Sequence, residues 1–499
     1  GLLLRESIGV NLNKEFANRV LLPGAVDSYY NGYKELIYMN KAYALMLNEN
    51  NIINFEEVKL ILDGLSKTGK SLKAEDLTGQ LEDLYFNFEH EFLRITGDVG
   101  GKLHAGRSRN DIHSTLTRII VRKKILEVSY NVIEFMETIN EKSKEHIDTV
   151  ITGYTHLQPA QPITLGHYCQ AVAGFLSRSM ERLLLSYNMT NQSPFGAAAL
   201  AGTGFDVDRE QLSNLLGFNK VLINTLDCVA SRDYILAFEA ACAILLNDIS
   251  RVAEDLYFWG TYENGLVRVP GEVSICSSIM PQKRNPVSLE YSRAKSGHAL
   301  AAFNSSFTTL KGIPYTNSMD VFETPTLLYP AVDHVLQTLL SMDLTFKNLE
   351  INKEKALNNA KVNLSTVTNL ADELVKEFGI PFRQAHHIVG VAVAEIIEND
   401  LDAMAISAER ITQIAKKELD IEVVMDDEKL KTALDPQLNV NTKIGLGGPS
   451  HNSTQKMIEW TESNIMMYKV EIDRLIDNIN NAYNLIDKGV SDLLAVETV

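Results

Sequence analysis

The 499 residues include 45% hydrophobic and 22% charged residues, the proportions of a folded globular chain rather than a disordered one. At roughly 150 residues per domain, this length suggests about three domains. Acidic residues exceed basic residues by 64 to 47, and the formal net charge of −17 repels polyanions. Nucleic acid is therefore not an expected partner.

The cysteines and the apolar runs indicate the compartment. The four cysteines lie far apart, with no pair at the spacing of a structural zinc site and no disulfide framework: Cys169, Cys228, Cys242 and Cys276. The N-terminal apolar stretch is too short for a signal peptide, and the longest later run, 235–246, is interrupted by Glu239. We expect a cytoplasmic protein in a reducing environment, without membrane association.

Proline and glycine are unevenly distributed, and the intervals that lack both predict long helices. In chain order these intervals are 107–152, 218–259 and 331–378, with a further segment, 287–311, that contains only one glycine. The evidence for strands is limited to 266–269, which Pro270 closes. The sequence therefore predicts an all-α fold built around a bundle of long helices.

The segment 237–246 carries small and apolar residues around most of a helix circumference. Such a helix needs neighbours on several sides. We expect a homo-oligomer in which central helices pack against their own copies, although a helix buried inside one large chain would have the same composition.

Three polar clusters interrupt the helical pattern, at 97–110, 153–166 and 260–285, and a fourth break is expected at 311–330. A later break at 378–382 is consistent with a separate C-terminal domain. We predict an N-terminal, mainly helical domain at 1–111, a central bundle at 112–364 and a C-terminal helical domain at 365–499. Beyond Trp460, apolar residues at helical spacing predict one more amphipathic helix.

The first cluster reads Gly-Lys-Leu-His-Ala-Gly-Arg-Ser-Arg-Asn-Asp over 101–111 and precedes a long helix. Arginine donates to carboxylates with two parallel N–H groups, and helix N-termini favour anions. Ser108, Arg109 and Asn110 are thus candidates for a carboxylate site. The alternative is a helix cap with solvated arginines, in which Asn110 or Asp111 is the capping residue.

The second cluster, Gly-Tyr-Thr-His-Leu-Gln-Pro-Ala-Gln-Pro over 153–162, contains one histidine between hydrogen-bonding side chains. His156 can titrate near neutral pH, and Thr155 and Gln158 can bind polar groups of a ligand. A purely structural histidine is the alternative.

The third cluster, Cys-Ser-Ser-Ile-Met-Pro-Gln-Lys-Arg-Asn-Pro over 276–286, combines hydroxyls, cations and amides between two prolines. Taken alone, it is equally consistent with a surface turn before a helix.

Together the three clusters resemble the signature segments of the fumarase/aspartase superfamily, and the first two resemble its argininosuccinate lyase branch. The resemblance extends over roughly residues 80 to 450 and includes Ser-Arg-Asp at 231–233 and Gly-Ile-Pro-Phe-Arg-Gln-Ala-His at 379–386. It implies a long central helix bundle flanked by two smaller helical domains. It also implies a carbon–nitrogen lyase that reversibly eliminates fumarate from an N-succinyl amine, with argininosuccinate, which yields arginine, as the first expectation.

The resemblance also implies roles for individual residues. Ser277 would be the base that removes the C3 proton, and Lys283 would stabilise both the serine alkoxide and the aci-carboxylate intermediate. His156, oriented by Glu290, would protonate the departing nitrogen. The expected substrate-binding residues are Ser108, Arg109, Asn110, Thr155, Gln158, Asn285 and Arg232. The family is homotetrameric with active sites shared between subunits, and neither a metal nor an organic cofactor is implied.

The chain departs from the family on the side of the site that would bind the amine. In the register that follows Lys-Gly-Ile-Pro at 311–314, Asn317, Phe322 and Pro325 replace the usual Tyr, Gln and Lys. Residues 36–43 also lack the usual N-terminal family segment, and Cys276 replaces a glycine beside the expected base. These changes leave two alternatives open: a lyase for another N-succinyl amine, such as an aminopolycarboxylic acid or a diamine conjugate, and a non-catalytic, crystallin-like protein.

Overall fold

A computed structural model describes residues 11–495 as a mostly helical molecule with four small two-stranded sheets. In chain order the helices are α1 Lys14–Phe16, α2 Leu22–Glu49, α3 Phe55–Ser71, α4 Leu84–Thr96, α5 Arg109–Glu145, α6 Leu165–Thr190, α7 Arg209–Leu215, α8 Thr225–Ala230, α9 Asp233–Trp259, α10 Val287–Leu310, α11 Met319–Lys347, α12 Lys353–Val362, α13 Val367–Phe378, α14 Phe382–Glu398, α15 Ala408–Leu419, α16 Asp427–Leu434, α17 Pro436–Asn441 and α18 His451–Ala495. The strands are β1 Val150–Thr155, β2 Gln158–Thr164, β3 Gln192–Ser193, β4 Lys220–Val221, β5 Val267–Arg268, β6 Ile275–Cys276, β7 Arg284–Asn285 and β8 Glu350–Ile351.

The predicted all-α bundle is confirmed. Helices α5, α6, α9, α10 and α11 pack against one another as its centre. One continuous apolar core runs from α2 through this bundle and ends on α18, whose buried residues include Ile472, Leu475 and Ile486. No helix in residues 11–495 is long and apolar enough to cross a membrane.

A second apolar core lies between residues 364 and 434 and is formed by α13 to α16, with buried residues such as Leu370, Ile388 and Ile411. The break expected at 378–382 is present: α13 ends at Phe378, Gly379 adopts φ +64°, and α14 begins at Phe382. The final helix α18 packs on α5 and α6 rather than on this second core. The domain limits at 111 and 364 stay predictions.

The long helices of the bundle follow the predicted intervals with some interruptions. Helix α10 spans nearly all of its interval, whereas 218–259 is divided at Ser231 and Arg232 into α8 and α9. The interval 331–378 contains the end of α11 and two further helices. The weak strand signal at 266–269 is confirmed, because Val267 and Arg268 pair with β8.

The break expected at 311–330 is wrong beyond Ser318, because α11 continues through Pro325 and Pro330. A proline inside a helix leaves the carbonyl four residues earlier without its backbone donor. The carbonyl freed by Pro325 is that of Val321, and it accepts hydrogen bonds from Arg232 Nε at 3.3 Å and Thr324 Oγ1 at 3.1 Å. These side-chain donors explain why the helix persists.

Helix α9 is covered by α6, α10 and α11 of the same chain, so the composition of 237–246 is accounted for without a second copy. Ile244 is the large apolar residue in this segment that remains exposed. Half-exposed apolar side chains lie instead on the outer faces of α10 and α11, among them Leu300, Phe307 and Leu340.

A β-hairpin occupies most of the segment predicted to be a loop at 153–166. Strands β1 and β2 pair antiparallel from Val150 with Thr164 to Thr155 with Gln158, with a bulge between Gly153 and Tyr154. The predicted loop contains Pro159 and Pro162, which argue against a strand, but a two-stranded ribbon has free edges that tolerate proline.

Candidate active site

The first group of candidate residues lies at the N-terminus of α5, where Ser108 is the helix cap. Its Oγ accepts from the backbone N–H of Asn110 at 3.3 Å, and Asp111 Oδ1 accepts from the N–H of Ser108 at 2.9 Å. This reciprocal pair is a capping box. The capping residue is therefore Ser108, rather than Asn110 or Asp111.

Arg109 and Asn110 are held by neighbours in the same chain. The Arg109 guanidinium contacts Glu82 at 2.8 Å and Asp83 at 3.1 Å, and it lies 3.9 Å from the centre of the Phe86 ring. Asn110 donates to the carbonyl of Ala199 at 3.0 Å and accepts from Asn317 Nδ2 at 3.0 Å. The replacement of the family tyrosine at 317 therefore contacts a candidate substrate-binding residue directly.

Two residues of this segment, Asp111 and Arg107, are buried polar groups that were not among the predicted site residues. Asp111 is fully buried, and its Oδ2 accepts from the N–H groups of Gly196 and Ala198, both at 3.0 Å. Burial raises the pKa of Asp111 to about 7, against the lowering effect of those N–H groups. Arg107 is 7% exposed and lies 4.8 Å from the Tyr43 ring centre, and its Nε and Nη1 have no partner in the described part of the chain. The sequence offered a signal for both residues, because Arg107 and Asp111 directly flank the predicted site residues 108–110.

The second group lies at the tip of the β1–β2 hairpin. His156 and Leu157 form its two-residue turn and are both exposed, with φ values of +54° and +57°. Two positive φ values define a type I′ turn, which usually contains Asn and Gly. Thr155 and Gln158 flank the turn and are also exposed. The imidazole is therefore presented to solvent on strained backbone, and such strain is concentrated at functional sites.

The third group lies in the loop between α9 and α10. Ser277 follows β6, and its Oγ accepts from the N–H of Met280 at 3.0 Å and the N–H of Ile279 at 3.3 Å. Lys283 is exposed, and its ammonium makes no hydrogen bond or ion pair with residues 11–495. Asn285 pairs with Ile275 across the short β6–β7 ribbon. Two backbone N–H groups thus already point at the hydroxyl expected to ionise.

Glu290 and Arg232 are placed by other helices. Glu290 lies in the first turn of α10, where its Oε1 accepts from the hydroxyl of Tyr257 at 3.2 Å. No hydrogen bond joins His156 to Glu290 among the residues described, so the expected pairing is not made within one chain. Arg232 is 3% exposed and donates to the carbonyls of Val321 and Ser231, and its Nη2 has no partner in 11–495.

The three groups are separate in one chain. The residues at the cap of α5 contact 82–83, 196–199 and Asn317. The β1–β2 hairpin contacts α12 and α17. The loop that contains Ser277 is closed by the pairing of β6 with β7. No group of His, Cys, Asp and Glu side chains suited to a metal ion occurs in residues 11–495.

The chain matches known protein families over most of its length. A lyase family model matches residues 24–300, and a model of the argininosuccinate lyase C-terminal region matches 364–441. The argininosuccinate lyase of Methanocaldococcus jannaschii is 37% identical over 89% of this chain and 91% of its own length. The chain belongs to the argininosuccinate lyase family. Argininosuccinate lyase 1 of Shouchella clausii is 35% identical over 96% of this chain and 97% of its own length.

Solved structures of other enzymes share the fold of this chain. A variant of EDDS lyase with bound fumarate is 30% identical, with a TM-score of 0.87 over 97% of this chain and 96% of that chain. A class II fumarase from Schistosoma mansoni, at 14% identity, shares the fold with a TM-score of 0.69 over 87% of this chain and 93% of that chain. The chain is a carbon–nitrogen lyase of the fumarate-eliminating kind.

Proposed function

We propose that this chain catalyses the reversible β-elimination of fumarate from argininosuccinate, with arginine as the second product. The observation that carries the elimination chemistry is the position of Ser277 Oγ, which accepts from the backbone N–H groups of Ile279 and Met280. The choice of argininosuccinate is supported by relatives of that name that are 35–37% identical to this chain. An unperturbed serine hydroxyl is too weak a base for this reaction. Two N–H groups aimed at its oxygen stabilise the alkoxide, as an oxyanion hole stabilises developing negative charge.

The reaction begins with the removal of a proton by this base. The Ser277 alkoxide takes the proton from C3 of the succinyl group, and the electron pair enters the adjacent carboxylate to give an aci-carboxylate, which the Lys283 ammonium neutralises. The C2–C3 double bond then forms as the carbon–nitrogen bond breaks. His156 gives its proton to the departing nitrogen, so that fumarate and the free amine are released.

The remaining candidates hold the substrate. Ser108, Arg109 and Asn110 are grouped at a helix N-terminus that favours carboxylates. Thr155 and Gln158 flank His156 on the hairpin, and Asn285 closes the Ser277 loop. We assign all six to the binding of the succinyl carboxylates. Arg232 can contribute through its unpartnered Nη2, since its other nitrogens donate to backbone carbonyls.

We propose a cytoplasmic homotetramer in which three subunits supply the three groups to each active site. Two observations support it. The groups are separate within one chain, and the apolar residues Leu300, Phe307 and Leu340 are half exposed on the bundle surface, where further copies can cover them. In such an assembly His156 meets Glu290 of another subunit.

A second candidate is a lyase that acts on another N-succinyl amine or on an aminopolycarboxylic acid. It is favoured by the replacements at Asn317, Phe322 and Pro325, and by the similarity to EDDS lyase along almost the whole chain. The chemistry at Ser277 is the same in both candidates, and only the amine differs.

The test follows fumarate by its ultraviolet absorbance. Purified protein is offered argininosuccinate beside a panel of other N-succinyl amines and an aminopolycarboxylic acid. Release from argininosuccinate supports the first candidate, and release only from another compound supports the second. If no compound releases fumarate and no amine adds to fumarate in the reverse direction, a non-catalytic protein is favoured.

A further inference from the structure

A cavity of about 270 Å³ lies directly beneath the His156 hairpin, between the hairpin and the C-terminal end of α9. Tyr154 and Thr155 of β1 form one wall, and Phe258 and Trp259 of α9 form the opposite wall. Because Thr155 precedes His156, the cavity begins one residue from the proposed proton donor. A group attached to the departing nitrogen can reach it.

Four aromatic side chains line the cavity. Tyr154 and Phe258 meet edge to face with ring centres 5.8 Å apart, and Tyr168 and Trp259 meet in the same way at 4.7 Å. The faces of such rings carry negative electrostatic potential, which attracts organic cations. Four aromatic rings around one small cavity therefore provide an electrostatic attraction for cations in addition to an apolar surface.

Asp255 is the one charged residue among those that line the cavity. Its Oδ2 accepts from the hydroxyl of Tyr168 at 2.7 Å, which fixes the carboxylate in the wall. Its Oδ1 has no hydrogen-bond partner in the described residues. Burial raises the pKa of the Asp255 carboxyl, and Arg251, four residues earlier on α9, opposes this shift while it pairs with Asp248 at 3.6 Å. One carboxylate oxygen is thus left for a ligand.

We propose that this cavity binds an ammonium or guanidinium group, and that this group belongs to the amine half of the substrate. The assignment to the substrate rests on the proposed function, in which His156 protonates the departing nitrogen. In argininosuccinate the departing nitrogen belongs to the guanidinium group, so this cation lies beside His156, where the charge of Asp255 attracts it. Asp255 is then a residue that determines specificity.

Binding can be measured without turnover because the chain has two tryptophans, Trp259 in the cavity wall and Trp460 on α18. In a Trp460→Phe variant, fluorescence reports on the cavity alone. Arginine is titrated against citrulline, in which a neutral ureido group replaces the guanidinium with nearly the same shape. We expect a saturable change with arginine and with the diamine ethylenediamine, and none with citrulline.

The decisive substitution is Asp255→Asn in the same background, since its amide oxygen still accepts from Tyr168. We expect arginine affinity to fall about tenfold or more, the scale of one charge-assisted hydrogen bond. The control is Glu263→Gln, which removes an exposed carboxylate just beyond α9 and outside the cavity, and which should leave affinity unchanged. Tyr154→Leu alters the opposite wall without touching Asp255 and should also weaken binding. Equal responses to arginine and citrulline, or an unchanged affinity in Asp255→Asn, would overturn the proposal.

Kinetics distinguish a substrate subsite from a separate cation site. In the direction of addition, Asp255→Asn should raise the KM for arginine about tenfold while the KM for fumarate stays within twofold. Binding that depends on Asp255 without this change in KM would contradict assignment to the substrate. If argininosuccinate and arginine are not turned over but the fluorescence of Trp259 responds to arginine, the cation site is supported and the proposed function is contradicted. If turnover occurs with no dependence on Asp255, the proposed function stands and the cavity proposal fails.

Discussion

Arg232 Nε donates to the carbonyl of Val321 at 3.3 Å, and this carbonyl is the one that Pro325 deprives of its helical N–H donor. The buried guanidinium of Arg232, at the junction of α8 and α9, thus donates to a carbonyl of α11 that lacks its backbone donor. Arg232 was expected to bind substrate. Its contacts give it at least a structural function, and they tie it to one of the positions at which the chain departs from its family.

This relationship predicts an energetic coupling between Arg232 and Pro325. Pro325→Ala restores the backbone donor, so that the free energy of unfolding lost in Arg232→Met should be about 1 kcal/mol smaller in the Pro325→Ala background. A double-mutant cycle from urea unfolding measures the difference. Identical losses in both backgrounds would show that the contact does not compensate for the proline.

The left-handed backbone at the hairpin tip predicts a conflict between stability and activity. His156→Gly should raise stability by up to about 1 kcal/mol, because glycine adopts positive φ without strain, while fumarate release is lost with the imidazole. Leu157→Gly is the matched control, since it relieves the same strain and keeps the imidazole, and it should retain activity. Loss of stability in both variants would refute the assignment of strain.

The buried carboxyl of Glu239 predicts a pH dependence of stability. Its side chain is 1% exposed and accepts from Ser306 Oγ at 2.8 Å, and burial raises its pKa to about 8 from the ordinary 4.5. The folded state therefore binds the proton more tightly than the unfolded state, and the stability of the wild type falls as pH rises from 4.5 through 8. Glu239→Gln cannot ionise, so its Tm relative to wild type should increase between pH 6 and pH 9. An equal Tm difference at both pH values would contradict the raised pKa.

The proposed sharing of active sites between subunits predicts complementation between two inactive variants. Ser277→Ala and His156→Asn damage groups that lie apart in one chain, and in the proposed tetramer, if it is mixed, some sites receive both intact groups. Co-expressed variants should release fumarate faster than either parent. The two parents mixed after separate purification, without dissociation, serve as the control. No gain over the parents would place each complete site within one chain.

The exposed thiol beside the proposed base predicts inactivation by alkylation. Cys276 is exposed, whereas Cys169, Cys228 and Cys242 are buried, so a maleimide should label Cys276 first. The adduct is attached one residue from Ser277 and obstructs access of the substrate to its hydroxyl, so activity should fall in step with labelling. Cys276→Gly, which restores the usual family residue, should remain active in the presence of the reagent. Inactivation of that variant at the same rate would locate the sensitive thiol elsewhere.

The sequence predicted the helices that depend on local signals. Helix α10 follows Pro286, and α13 ends just before Gly379, because proline and glycine act within a turn of their own position. The prediction was wrong at Pro325, where Arg232, from a distant part of the chain, joins the neighbouring Thr324 in donating to the free carbonyl. Local patterns do not contain such a contact.

The candidate site was predictable in its residues but not in its assembly. Ser108 and His156 stand out by their motifs, and the structure places one at a helix cap and the other on a hairpin tip. Asp255 and Trp259 carry no motif, because their relation to the hairpin exists only after α9 packs beside it. Contacts between subunits follow from the association of surfaces, which one sequence does not specify.

Ser277 is the proposed base of a fumarate-forming elimination. The most direct measurement is the rate of fumarate formation, by absorbance, from argininosuccinate and the panel of N-succinyl amines. The wild type is compared with Ser277→Ala and with the neighbouring Ser278→Ala. We predict fumarate release by the wild type, a loss of at least about a hundredfold in Ser277→Ala, and retention of most activity in Ser278→Ala. A Ser277→Ala variant that releases fumarate at the wild-type rate would contradict the account.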